Sequence, residues 1–501
     1  MNLPFHLRYR PENTFIIGLT PPPRAPDPTT ISHLLDPVII STVKYGAAPG
    51  QDVPTSRHPN GIPVQVKVAP LMADLEGSRK VGGFLAHGAT MFCSFCLCTG
   101  EQLEDLNIQS WTLRNGALVR AQAKAWLQQT TKVGRDAHQK LTGVRWTPLH
   151  HLPYWDPVKH VVLGFMHNWL EGILQHHLRA LWGIGRDEKE SQNIKEMEED
   201  EQWNEEDVLD SADELDDLFQ EAAEHDHEAM QDTPPPMSPS PSSSLTGTPT
   251  ISSLTLSESS STSTATQSHP NPYAYDFDMD DDDDDDDDDS EYIPADTLPF
   301  NFTEPQLQAI RDCIRDITLP TWIQRPPINL GEPGHGKLKA REFLTLFTSI
   351  FPLIIPEFWY ITSATNFHHE HFNCFYHLVA ATNIIAAFKT SNADADAYTQ
   401  HFVQYRTAIQ RLFPYHPSKP NHHCAMHNGP LLKYWGPLAC FSEFPGERMN
   451  GMLQKVNTNH RLGMSFNYST LKLVANVGTR GFGSYNAPPD ESPSTCGCFA
   501  A

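Results

Sequence analysis

The chain has 501 residues, 39% of them hydrophobic, and 42 prolines, which is enough for two or three domains with a real core joined by many irregular connections. Its formal charge of −25 is unevenly placed: residues 187–295 hold 35 Asp and Glu against Lys189 and Lys195, a net of −33, leaving 34 basic and 26 acidic residues elsewhere, a net of +8. The remainder is therefore mildly basic, which suits a polyanionic partner without demanding one.

Residues 1–70 look β-rich. LRYRPENTFIIGLTPPP suggests two short strands around a PEN turn, and ISHLLDPVIISTVKYG (31–46) suggests a helix broken at Pro37. GIPVQVKVAPLMADL alternates at Val64, Val66 and Val68, which places Asp74 at or just past the end of a strand. A glycine hinge (Gly82, Gly83), a short helix and a polar helix over 115–140 follow. VKHVVLGFMHNWLEGILQHHLRALW (158–182) has the clearest helical periodicity and stops at Gly183 and Gly185. Residues 187–295 run from acidic to Ser/Thr/Pro-rich to ten consecutive aspartates at 280–289. Such a segment cannot bury enough apolar area to offset ordering, so a disordered insertion is expected. Helical periodicity resumes in 304–317, 338–351, 366–389 and 396–413, and FPGERMNGMLQ starts a last helix. The tail after Gly478 is expected to be disordered.

The start, MNLPFHLRYRPE, is polar and proline-interrupted, unlike a signal peptide. The most apolar stretch, Phe343 to Tyr360, carries Pro352 and Pro356 and suits buried helices rather than a membrane span. Nine cysteines, three of them at 93–98, are not spaced as a disulfide frame.

Several residues are candidates for chemistry, and each has a plainer alternative. Asp74 is placed either to bind a divalent ion, as carboxylates at strand ends do in two-metal nucleases, or to cap the next helix. Cys93-x-x-Cys96 is half of a zinc knuckle whose other ligands would come from His87, Cys98, His150, His151 or His167, or else a pair of reduced core thiols. His167 sits within an apolar helix, where a histidine is usually a core residue. His422, His423 and His427 fall in a predicted loop. Glu447, opening a helix, is either a metal carboxylate or a residue favoured by the helix dipole. Gly331-Glu-Pro-Gly-His-Gly336-Lys337 mimics a phosphate-binding loop. It lacks the Ser/Thr, Leu338 standing in that place, and the strand that should precede it.

Six pieces of this chain, in order, carry a family resemblance. They are LPFHLRYRPENTFIIGLTP, ADLEGSRKVGGFLAHGATMFCSFC, GVRWTPLHHLPYWDPVKHVVLGFMHNWLEGILQHHLRALWG, LPTWIQRPPINLGEPGHGKLKAREF, PNHHCAMH and WGPLACFSEFPGERMNGMLQKVNTN. Together they resemble the CACTA (En/Spm-like) class of transposases in the form found in basidiomycete fungi, across about residues 3–185 and 296–470. The resemblance implies an α/β, ribonuclease-H-like core with a large, mostly helical insertion, an Asp-Asp-Glu triad, Mg²⁺ or Mn²⁺, and a nuclear location. It puts the second Asp on Asp74, the Glu on Glu447 with Arg448 and Asn450 in the same motif, the zinc-type pair on Cys93 and Cys96, and a further ligand on His167. His87, His422 and His423 are other motif positions. Gly164 stands where the family commonly has Asp, Gly446 where it has Phe, and Glu76 where it has Pro. The strand bearing the first Asp would precede Met1.

The resemblance divides the chain into a partial core with its first strand missing (1–92), the first half of a CxxC-bearing helical insertion (93–186), the acidic insertion (187–295), the second helical half (296–440), a return to the core (441–475) and a tail (476–501). It implies a transposon-derived protein that binds transposon-end DNA and is inactive in cleavage. The alternative is a non-catalytic DNA- or protein-binding module with structural zinc, whose residues 187–295 contact basic proteins. No membrane role is expected.

Overall fold

The computed structural model describes residues 5–10, 13, 14, 16, 26–68, 70–185, 302–332, 334–361 and 366–454. The acidic insertion and the tail, both expected to be disordered, lie outside these residues. The described residues are mostly helical, with one small antiparallel sheet of β1 (Gln51–Val53) and β2 (Ile62–Val64), in which Asp52 faces Pro63.

The N-terminal region is more helical than its sequence suggests. Phe5–Arg8 forms a short helix, α1, where a strand is expected. Helix α2 (Pro28–Gly46) runs through Pro37 without a break. Asp27 caps it, accepting from the Thr29 and Thr30 N–H groups at 2.6 and 2.8 Å, and Ile39 and Thr42 are buried along it. The alternating valines do not extend β2. Beyond it, Leu71 makes a single parallel bridge with Val161, through Leu71 N–H to the His160 carbonyl and Val162 N–H to the Leu71 carbonyl.

Asp74 then caps α3 (Leu75–Gly82). The helix ends on Gly83 at φ 84°, where a Cβ would lie 2.6 Å from the Arg145 carbonyl oxygen. Only glycine meets both conditions, so the predicted hinge is a helix stop packed against the 143–147 segment. The polar helix expected over 115–140 is two helices, α4 (Gly116–Leu127) and α5 (Lys132–Thr142). Asn115 and Thr131 cap their starts. The helix expected over 158–182 begins later. Residues up to Gly164 are tied to Leu71 and Glu443, and α6 (Phe165–Leu174) starts after Gly164 with the wider π winding. The same winding returns in His177–Leu181.

Downstream come α7 (Glu304–Asp316), α8 (Ala340–Thr345, continuing through Leu346–Ile350, Phe351–Pro356 and Glu357–Ile361), α9 (Asn366–Ile385) and α10 (Asn392–Leu412). They are followed by α11 (Pro420–Ala425), α12 (Asn428–Trp435) and α13 (Phe444–Gln454). The run Ala340–Trp359 is long and apolar enough to cross a membrane. Here Phe343, Phe347, Phe351, Ile355 and Trp359 are buried inside the helical core.

That core joins both halves of the chain. Trp169, Leu170, Ile173, Leu178 and Leu181 are completely buried against Phe347, Phe351, Leu378, Tyr398 and Phe402. The apolar side of α6 therefore faces the core, while His167 and Glu171 keep a partly exposed polar side. The Trp169 indole still finds a partner, donating to Thr382 Oγ1 at 3.2 Å. A second, smaller cluster holds Ile39, Phe84, Val119, Ala123, Val144, Leu152 and Trp155.

Candidate metal centre

The CxxC segment is a loop held by backbone pairing rather than by a helix. Leu97 N–H bonds the Thr112 carbonyl, and Arg114 N–H bonds the Phe95 carbonyl, both at 2.9 Å. The buried Arg114 guanidinium gathers the carbonyls of Cys93 and Cys96 on its Nε (2.9 and 3.1 Å) and that of Thr142 on Nη1 (2.9 Å). Both thiols are thereby fixed facing the same way as Phe92 and Phe95 pack around them, and the Phe95 N–H donates to Cys93 Sγ at 3.4 Å.

The facing ligands come from α11 and the turn after it. Pro420 opens this helix, a position where its missing N–H costs nothing. The Lys419 N–H is taken by His422 Nδ1 at 3.2 Å. His423 lies on α11, and His427, four residues on, lies in the turn that leads into α12. Cys96 Sγ lies 3.1 Å from His423 Nε2 and Cys93 Sγ 3.5 Å from His427 Nε2. One ligand atom from each of the four residues lies within 4.8 Å of every other. A tetrahedral zinc ion with bonds of ~2.3 Å to sulfur and ~2.0 Å to nitrogen would set ligand atoms about 3.3–3.8 Å apart. Two soft thiolates and two imidazoles are donors that suit zinc, so the four residues can hold a metal such as zinc. They bring together parts of the chain more than 300 residues apart.

The surroundings prepare the imidazoles as ligands. His423 stacks on Trp111 (ring centroids 4.4 Å, 22°) and meets the Phe92 edge at 4.9 Å. His427 tilts over Phe95 at 5.0 Å. Burial holds both imidazoles down at about 3, so both are neutral with a free lone pair. Burial also pushes the Cys93 thiol up to about 12. A metal reverses that preference, because a coordinating thiol is deprotonated by the ion's charge.

His167 is not part of this centre, contrary to the ligand set expected from the sequence. Its Nδ1 lies 2.8 Å from Glu171 Oε2 and its Nε2 3.5 Å from Glu447 Oε1. Burial opposes its protonation, but the carboxylates of Glu171, Glu447 and Glu443 outweigh it and raise its pKa to about 10. His167 is therefore a cation between acids. Glu443 is itself buried, accepts the Met166 N–H at 2.9 Å, and is pushed by burial up to about 7 despite the nearby His167.

The other expected site residues are dispersed. Asp74 spends its carboxylate on the Gly77 N–H at the start of α3, the capping alternative. Glu447 is half exposed and meets His167. Arg448 donates to the Tyr9 carbonyl at 3.0 Å, and Tyr9 in turn donates to the Cys440 carbonyl at 2.7 Å. Asn450 is exposed. His87 stands in the loop after α3, outside the cluster. Cys98 is buried beside Cys96 without joining the four. His150 bonds Thr147 and His151 approaches Asp36 at 4.0 Å. His422 packs edge-on against His176 at 4.8 Å. Among the described residues, no metal-grade group of three ligands contains Asp74 or Glu447.

Sequence reasoning missed His423 and His427 as ligands and Glu443 as a partner of α6. The H-x3-H spacing within PNHHCAMH was the available signal for the two histidines. No sequence signal pairs Glu443 with Gly164. No family model matches the chain, and no curated protein matches it.

Proposed function

We propose that this chain is a transposase-derived protein whose helical insertion is braced by structural zinc and which binds DNA without cutting it. The observation that carries this reading is the Cys93, Cys96, His423 and His427 cluster. It ties the first half of the predicted insertion to the second, the place where a metal brace would let a helical domain tolerate a long acidic excursion between its halves. On this reading residues 1–92 and 441–475 belong to a ribonuclease-H-like core, and the protein works on transposon-end DNA in the nucleus. The non-catalytic part rests on the dispersal of the acids: Asp74 serves a helix cap and Glu447 serves His167. A two-metal mechanism needs carboxylates converging on ions ~3.5–4 Å apart.

The test measures metal content and DNA chemistry on one preparation. Elemental analysis of the purified protein should give one zinc per chain. Incubation with element-end DNA and Mg²⁺ or Mn²⁺ should give a complex and no nicks. Nicking that Asp74→Ala abolishes would overturn the non-catalytic reading, and a protein free of zinc would remove the brace.

A further inference from the structure

Two imidazoles face each other through their Nδ1 atoms where α9 and α10 pack together. His377 Nδ1 and His401 Nδ1 are 2.9 Å apart, with ring centroids at 5.2 Å and planes at 46°. Each residue precedes a fully buried core residue, Leu378 and Phe402, so both side chains leave the core at its rim, where they are half-buried. Both stand well inside their helices, Asn366–Ile385 and Asn392–Leu412, and a pair held by packed helices is fixed more closely than one on a loop. The Tyr376 ring closes one side, in T-shaped contact with His377 at 5.3 Å and with His401 at 5.7 Å.

The short distance has two readings. A hydrogen bond between neutral imidazoles needs a proton on one Nδ1 and a lone pair on the other. A metal ion needs lone pairs on both, with the protons on the Nε2 atoms. Neither Nε2 is a buried atom without a partner, so the second arrangement strands no proton in the core. Among the described residues no carboxylate takes either Nδ1, and each has the other as its partner. Burial first, and then His401, hold His377 below its ordinary pKa, in the neutral form that ligation requires.

Geometry separates the ions that would fit. Metal–imidazole bonds of about 2.0–2.1 Å to nitrogens 2.9 Å apart subtend an angle of about 90° at the ion. A tetrahedral ion would hold the two nitrogens about 3.3 Å apart. A right angle between nitrogen donors belongs to tetragonal coordination, the geometry of copper(II) and nickel(II) with nitrogen and oxygen ligands. We propose that His377 and His401 form a second metal site, which takes a divalent ion of this class through both Nδ1 atoms, with water in the remaining positions. Copper(II) binds ahead of nickel(II), following the general order of affinities at such donors. Binding moves one proton from Nδ1 to Nε2 of the same ring and releases none. The ion clamps α9 to α10. The site has its own donors and does not rest on zinc at Cys93 and Cys96.

Calorimetric titration with nickel(II) tests the site in the full-length protein, first saturated with zinc and freed of loosely held metal. The wild type should show a binding event that His377→Gln and His401→Gln each lose. The double variant should match either single one, because one imidazole alone does not chelate. Electron paramagnetic resonance of the wild type with one equivalent of copper(II) needs no substitution. Its expected spectrum is axial, with splitting from two nitrogens. Nickel binding that both single variants retain would make the pair a hydrogen bond only and overturn the site. Copper held through thiolate, or without nitrogen splitting, would overturn it as well. Zinc measured in the same samples should not change with either substitution, so the two metal readings fail separately.

Discussion

At Gly164 a side chain is excluded by another segment of the chain. A Cβ there would lie 1.3 Å from Glu443 Oε1, while Glu443 Oε2 accepts the Met166 N–H at 2.9 Å. Gly164 is the N-cap residue of α6 and has no side chain to cap it, so Glu443 performs the cap from a distant segment. The resemblance puts Asp at this position, and an Asp at an N-cap would accept the same N–H groups. In this chain the carboxylate at the start of α6 comes from a residue 279 positions later in the sequence. Glu443→Ala should destabilise the protein by about 1–2 kcal/mol, the usual cost of a lost cap. Gly164→Asp alone should also destabilise, because it collides with Glu443. In the Glu443→Ala background, Gly164→Asp should instead recover stability. Urea unfolding of the three variants checks this, and absence of rescue would sink the idea that the two positions share one task.

The same acids give stability a pH dependence. The folded pKa of Glu443 is raised to about 7 and that of His167 to about 10. A raised folded pKa means that the folded state holds the proton more tightly than the unfolded chain. The Glu443 contribution is therefore complete below its ordinary value of 4.5 and is lost as pH rises toward 7. That of His167 is complete below 6.5 and is lost as pH rises toward 10. Stability should fall from acid to alkaline pH across both windows. His167→Asn should flatten the upper one, as read by thermal midpoints taken through the range.

At the scale of elements, the sequence was most legible where apolar spacing acts alone. Segments 366–389 and 396–413 are helices, Asn366–Ile385 and Asn392–Leu412, and they pack against each other. It was least legible where a distant partner decides. The valines of 158–163 fit a helical pattern, yet Val161 and Val162 pair with Leu71 and stay extended. The alternation at Val64, Val66 and Val68 fits a longer strand, but β2 ends at Val64, and a strand without a paired neighbour gains nothing from alternation. The metal site was half legible for the same reason. Cys93 and Cys96 announce themselves by spacing, whereas their partners arrive after a fold that joins positions more than 300 residues apart. Such a link should matter for stability. Closing a loop of this length is worth at most roughly 5–6 kcal/mol in the chain-entropy picture of cross-links. The apolar core extends well beyond the side chains around the four ligands, so chelation should lower the thermal midpoint without unfolding the protein at room temperature. Hydrogen exchange should speed up first at 91–98 and 420–428. Equal exchange with and without chelator would show that these segments are not linked through a metal.

For the molecule as a whole, charge is distributed in opposition. The residues outside 187–295 carry +8 and the segment itself −33. A tethered polyanion is present at high effective concentration and competes with DNA for any basic face of the same chain. Loss of competition should raise affinity, and the gain should be salt-dependent, because both contacts release or retain counterions. For a protein neutralising Z phosphates, the logarithm of the binding constant falls with that of salt at a slope of about −0.9Z. Deletion of 187–295 should therefore tighten binding to duplex DNA at low salt. The advantage over the full chain should shrink as ionic strength rises and the tether is screened. Fluorescence anisotropy across a salt series, on both proteins and one labelled duplex, gives the two slopes. Overlapping curves would sink the idea that the acidic segment competes with DNA for the basic residues of the same chain.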